Sequence, residues 1–222
     1  MRQAMRQAAL RFTGPRIWLA ALQGQWRLVA LGVMSFVAYF GPGHIPGLTA
    51  HSVPYLAIDR TIPLLPWTIY GYISLYPLLL ANLIYLVPHP PALRPLISAI
   101  ILANLIAGTI FIVYRTQVTR PPLQQTFGWQ LLAVIWSIDP PYNALPSLHT
   151  AYSVLIAWTH IKLRSRYWPL VLVWCAIVIA TTLTTKQHQA LDLLGGAGMA
   201  ALLGWLVLRT LSPADLKCKY IR

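Results

Sequence analysis

Runs of about 16 to 23 mostly apolar residues, separated by proline, glycine and basic clusters, dominate this chain, and each is near the length a helix needs to cross ~30 Å of hydrocarbon. Inside a bilayer every backbone N–H and C=O must be paired within the protein, so such runs fold as spanning helices or close into a barrel. Barrel strands would read as short alternating segments, which makes helices the expected solution. Composition agrees: 57% of the residues are hydrophobic and 9% charged, against roughly 25% charged in a soluble domain. The chain therefore reads as an all-α, polytopic membrane protein, a six-transmembrane-helix bundle with spans at roughly 25–41, 66–87, 94–114, 147–162, 167–185 and 189–208. The connections 42–65 and 115–146 are long and carry helix-breaking Pro and Gly. Within the second, FGWQLLAVIW (127–136) is apolar but too short to cross, and suits a helix lying at the interface.

The formal charge of +13 raises the question of nucleic acid, but a polytopic chain has another use for cations, because Lys and Arg accumulate on cytoplasmic loops. With both termini cytoplasmic, all but four of the seventeen basic residues fall on that side. Residues 1–24, with Arg2, Arg6, Arg11 and Arg16, read as a retained basic interfacial helix, since no small-residue cleavage site follows. Residues 25–210 form the membrane domain, and 211–222 a basic cytoplasmic tail. Cys175, inside a span, and Cys218, in the tail, are not expected to meet. The four exceptions on the outer face are Arg60, Arg115, Arg120 and Lys186, and they require an explanation other than topology.

Three of the four acidic residues, Asp59, Asp139 and Asp192, share that face. A carboxylate at the centre of a membrane helix costs about 2.5–3.5 kcal/mol on insertion scales, so Asp192 is expected to have a partner. His188, four residues earlier, lies on the same helical face, where a carboxylate can fix the imidazole tautomer and raise the basicity of its far nitrogen. The same spacing also arises by chance or by satisfying a buried histidine. His149 at the outer start of the fourth span, Arg120 after the outer end of the third, and Lys186 beside His188 converge on one membrane level. Two imidazoles, a carboxylate and several cations suit a phosphate, whose developing charge is stabilised by preoriented donors. Two histidines and an aspartate could hold zinc, but the neighbouring cations oppose it, and neither metal nor cofactor is expected. Asp59 and Arg60 could reach over the site from the first long connection, but a surface ion pair is the preferred reading; Asp139 reads as a turn or helix-cap residue, and Trp67, Tyr70, Tyr72, Trp129 and Trp136 as an interfacial belt. His160 is expected at the cytoplasmic end without chemistry.

PSLH (Pro146–His149) and HQALD (His188–Asp192) resemble the second and third motifs of the type 2 phosphatidic acid phosphatase (PAP2) superfamily. TLTTKQHQALDLLGG and LAIDRTIPLLPWTIYGYISLY are similar to its inositol phosphorylceramide synthase-like branch, and the resemblance runs from about residue 56 to 200. It implies six transmembrane helices and metal-independent phosphoryl transfer through a phosphohistidine. By motif position His188 is the nucleophile, Asp192 orients it, and His149 protonates the leaving oxygen. Ser147, the Leu148 amide and Arg120, which precedes Pro121, contact phosphate oxygens. Two family cations are missing: the lysine seven residues before that arginine is Val113, and the Ser-Arg pair before the histidine is Thr181 and Thr182. Lys186 and Arg115 are the expected replacements in substrate binding, with an interfacial anchor as the alternative for Arg115.

Pro146, Ser147 and His149 then open a helix whose free N–H groups and positive dipole end favour an anion. The implied partners are a lipid phosphate and the surrounding membrane lipids, with no role for nucleic acid and the oligomeric state left open. Hydrolysis to free phosphate is the first reading, and transfer of a phospho-head-group to a lipid or sugar hydroxyl is the second. A transporter or scaffold is the third, weakened because a transport path needs polar residues along its whole depth. Short loops and small size favour a bacterial inner membrane with the site on the periplasmic side.

Overall fold

The computed structural model describes residues 15–123 and 125–216. Arg2, Arg6 and Arg11 of the expected interfacial helix, and Cys218 with the rest of the tail from 217 on, lie outside the described residues. The chain is mostly helical: α1 (Pro15–Ser35), α2 (Val37–Gly43), α3 (Ala57–Thr61), α4 (Pro66–Leu86), α5 (Pro90–Val113), α6 (Trp129–Ile138), α7 (Leu148–Leu163), α8 (Trp168–Thr184) and α9 (Ala190–Leu208). Of these, α4, α5 and α9 are long and apolar enough to cross a membrane, and this is a membrane protein. The spans read at 66–87, 94–114 and 189–208 correspond to them.

The other three expected spans take different forms. At 1.5 Å per residue, α7 and α8 extend for about 24–26 Å, less than the ~30 Å of a typical hydrocarbon core. The span read at 25–41 is broken: α1 begins ahead of it, at Pro15, and ends at Ser35, and α2 starts at Val37. Ser35 Oγ donates back to the Gly32 carbonyl at 2.7 Å, and the Phe36 N–H bonds to Val33 O rather than continuing the α-helical ladder. Back-bonding serines of this kind bend helices, and the composition of the run gave no sign of where the bend would fall.

Central α7 packs against α5, α8 and α9, so almost all of its circumference is buried. That demand for contact all round accounts for the absence of a polar stripe on it. Two glycines of α9 allow its close approach to the turn before α7. A Cβ on Gly196 would lie 2.2 Å from the Ser147 carbonyl oxygen, and one on Gly195 would lie 2.6 Å from Leu145 Cδ1, whereas one on Gly198 would meet nothing within 4 Å.

The two long connections meet at the end of the bundle where α4, α7 and α9 begin. They form a parallel pair, β1 (His51–Ser52) with β2 (Thr116–Gln117), His51 opposite Thr116. An all-α reading did not include it. Farther down the bundle buried polar groups satisfy one another: Tyr152 OH donates to Asn104 Oδ1, Asn104 Nδ2 donates to Ser35 Oγ at 2.6 Å, and His160 bonds both Ser165 and Asn82 at 2.7 Å.

Candidate active site

Ser147 has extended backbone geometry and caps α7, its Oγ accepting from the Thr150 N–H at 3.3 Å. Its own N–H donates to the Asp192 carbonyl at 3.0 Å, tying the mouth of α7 to the first turn of α9. The leading N–H groups of a helix have no intrahelical partner, so the amides of Leu148 and His149 open an anion-favouring end. The Gly196 contact holds this junction together, and a methyl there collides with backbone. Gly196→Ala is expected to destabilise the protein by about 1–3 kcal/mol, as overpacking does, seen as a lower unfolding midpoint in detergent. Gly198→Ala, facing open space, should leave the midpoint unchanged or raise it. Equal midpoints for the two variants would refute this packing.

His149 on α7 and His188 just before α9 face each other, ring centroids 5.8 Å apart and planes tilted by 58°. Both are buried, at 3% and 5% exposure, and neither His149 nitrogen has a hydrogen-bond partner. Buried polar atoms are nearly always paired, so these two nitrogens are free to bond a ligand or a water. His188 Nδ1 lies 3.5 Å from Asp192 Oδ2, an ion-pair contact rather than a formed hydrogen bond. The same Asp192 oxygen accepts the Gln189 N–H at 2.8 Å, which fixes the carboxylate as the cap of its own helix.

Arg120 is held from three directions. Nη1 donates to Trp136 O at 3.0 Å, and Nη2 donates to Asp139 O at 2.7 Å and to Gln187 Oε1 at 2.5 Å. Its Nε is buried and unpaired. Gln187 had no place in the sequence reading, and only the chain reversal that sets Thr185 beside Trp136 brings it to the arginine.

The other two candidate cations are engaged elsewhere. Arg115 donates through Nη2 to the carbonyls of Pro42 and Ile45 and lies over the Tyr142 ring, so it braces the end of α2. Lys186 donates through Nζ to Ile62 O at 2.7 Å and Asp59 O at 3.3 Å, clasping the α3 segment. Val113, where the family's lysine is expected, is 79% exposed, so a longer side chain there would start from the outer surface of the bundle.

Asp59 corrects the reading of a surface ion pair. It is buried, Oδ2 accepting the Leu56 N–H at 2.9 Å and Oδ1 accepting the Ala190 N–H at 2.8 Å. The carboxylate thus caps α9 from another segment, 131 residues away, where the helix dipole favours negative charge.

Tyr72 corrects the aromatic belt. It is 2% exposed, and its ring stacks on His149 at 4.2 Å between centroids. Its hydroxyl and that of Tyr39 donate to the same Asp139 oxygen, at 3.2 and 3.1 Å. Asp139 does end α6, as a cap residue should, but its carboxylate also anchors the ring that backs His149. Burial raises its pKa, with the Tyr39 hydroxyl, His188, Arg120 and the Tyr72 hydroxyl opposing. A carboxyl whose native pKa lies above its unfolded value gives stability below the unfolded pKa that is lost as pH rises through the native one. The wild type should therefore lose unfolding free energy as pH rises just above the ordinary carboxylate range, and Asp139→Asn should lack that loss. Parallel midpoint-against-pH curves for the two proteins in detergent would contradict this.

The arrangement brings together an imidazole 3.5 Å from a carboxylate, a second imidazole opposite, an arginine with an unmet donor, and a helix mouth suited to an anion. No curated protein and no solved structure matches the chain. The family comparison matches at the level of the superfamily and does not single out the inositol phosphorylceramide synthase-like branch. The family model of the PAP2 superfamily matches residues 51–206, which take in Arg120, Ser147, His149, His188 and Asp192 alike, and the chain belongs to that superfamily.

Proposed function

We propose that this protein is a lipid phosphatase that works through a phosphohistidine without metal. The observation that carries the reading is the facing pair, His149 and His188, with unmet nitrogens at a spacing that admits a phosphoryl group. Because His188 Nδ1 faces Asp192, the attacking atom is Nε2. Its lone pair forms a P–N bond as the P–O bond to the lipid breaks, and protonated His149 gives its proton to the leaving oxygen. Neutral His149 then takes a proton from water, the water oxygen attacks phosphorus, the P–N bond breaks, and inorganic phosphate departs. Arg120 Nε, the Ser147 hydroxyl and the Leu148 amide hold the non-bridging oxygens and stabilise their charge in the transition state. Lys186 and Arg115 act a step removed, through the segments they clasp, until a substrate oxygen competes for their donors.

In this reading the α1–α2 run, α7 and α8 join the three long helices as six spans, with both termini cytoplasmic and the site on the outer face of a bacterial inner membrane. The shortness of α7 supports a site sunk below the lipid headgroups. The test is to incubate pure protein in detergent with labelled isoprenyl, glycerol-based and sphingoid phosphates, chelator present, with and without hydroxyl-bearing acceptor lipids. Free phosphate released without acceptor is the expected result. Label appearing only in an acceptor lipid would replace hydrolysis by phosphotransfer, and no consumption of any lipid phosphate would reject both.

A further inference from the structure

A small cavity beside His149 is lined by Phe36, Tyr39, Tyr76 and Tyr152 among others. Phe36 is also a wall of a second, larger cavity of about 160 Å³, which continues down the bundle between α1, α4 and α5. Val33, Leu79, Leu80, Ile97 and Ile100 form its sides, and Ile156 of α7 its back. Its one polar wall residue is Asn82, whose amide is engaged on both sides, Oδ1 with His160 and Nδ2 with the Leu78 carbonyl. The groove therefore presents hydrocarbon alone. α1 packs on α5, and the bend at Phe36 sets that ring at the junction of the two cavities, 5.7 Å from the Tyr152 ring.

We propose that this groove is the berth of the substrate's own hydrocarbon chain, one long chain threaded from the imidazole pair past Phe36 and down between α1 and α4. The proposal rests on the lipid-phosphate reading above and adds where the lipid lies. Depth supports a long chain. The Tyr152–Asn104 bond marks a level one turn from His149, and from Asn104 down α5 to Leu93, the far lining residue, is roughly 16 Å at 1.5 Å per residue. That is about half of a ~30 Å hydrocarbon core, the depth of one leaflet. Because lipid tails are as apolar as leucine, the groove gains little from the hydrophobic effect and acts by van der Waals fit, aligning the phosphate with His188. A chain too short to enter loses that alignment. A third cavity, apolar and lying between α7 and α8 near Ala176, contains none of the site residues and no residue of the cavity beside His149.

Val33 and Leu80 line the groove and are exposed at its open side, so an indole there narrows the groove without being forced into a packed core. With Val33→Trp and Leu80→Trp in the same detergent, kcat/KM for hexadecyl phosphate should fall tenfold or more while that for butyl phosphate stays at the wild-type value. Equal effects on both substrates, or none on the long one, would overturn the berth. So would the same loss produced instead by Ala176→Trp. If wild type hydrolyses neither phosphate, the catalytic reading fails and the berth is judged by photolabelling alone. Hexadecyl phosphate with a terminal diazirine should label α1 and α5 near Val29 and Leu93, and labelling confined to α8, or none, rejects it.

Discussion

Replacing His188 with alanine is expected to reduce phosphate release to background and to abolish any acid-labile, base-stable phosphoenzyme. The effect is the largest available because, in the proposed mechanism, the substitution removes the atom that forms the P–N bond. His149, Arg120 and the α7 mouth are left in place, and their binding of phosphate should persist. The fold is not expected to suffer much. Asp192 keeps the Gln189 N–H as its partner at 2.8 Å, and His188→Asn restores a polar group of similar reach as a second check. Rapid quench with ³²P-labelled substrate, run beside a thermal melt in detergent, separates chemistry from folding. Full turnover in a well-folded His188→Ala protein would end the phosphohistidine mechanism.

The second large effect belongs to His149, and its form is diagnostic. His149→Phe keeps an aromatic ring against Tyr72, which stacks at 4.2 Å, while removing both nitrogens. General acid–base groups contribute typically ~10²–10⁴-fold, so turnover of an alkyl phosphate should fall by about that factor. With p-nitrophenyl phosphate the leaving group departs as a stable anion and does not need the proton. The first step should then survive and the second, which needs water activated, should stall. A burst of nitrophenolate followed by a slow phase, with phosphoenzyme accumulating, is the expected trace. Equal losses for both leaving groups and no accumulation would assign His149 a role other than acid and base.

Much of the architecture was legible in the chain itself. Apolar runs of membrane length mark α4, α5 and α9 because the bilayer admits so few backbone solutions. The i, i+4 spacing of His188 and Asp192 put both on one face of one turn, and they do lie in contact at 3.5 Å. His149 and His188 were expected at one level because both open helices on the same side, and their rings are neighbours. What failed did so for a common reason. Tyr72 was read as a belt residue since an aromatic near a span end is as apolar and as amphipathic in either place. Its stack on His149 depends on the packing of α4 against the mouth of α7. Arg115 and Lys186 stand in for the family's two missing cations in the sequence, and their backbone partners at Pro42, Ile45, Asp59 and Ile62 were not legible because only the fold brings the long connections that supply those carbonyls to them.

The local pattern along the chain determined helix content, membrane character, and the turn-scale contacts that follow from 3.6 residues per turn. Helix geometry is short-ranged, and its consequences can be read residue by residue. The union of Asp59 with Ala190, the grip of Gln187 on Arg120, the Tyr39 and Tyr72 hydroxyls on Asp139, and the bend that sets Phe36 between two cavities arose only with the three-dimensional packing. These four hydrogen bonds join groups 67 or more residues apart, so their partners are chosen by how α-helices and loops stack in space, and no periodicity in the sequence carries that information.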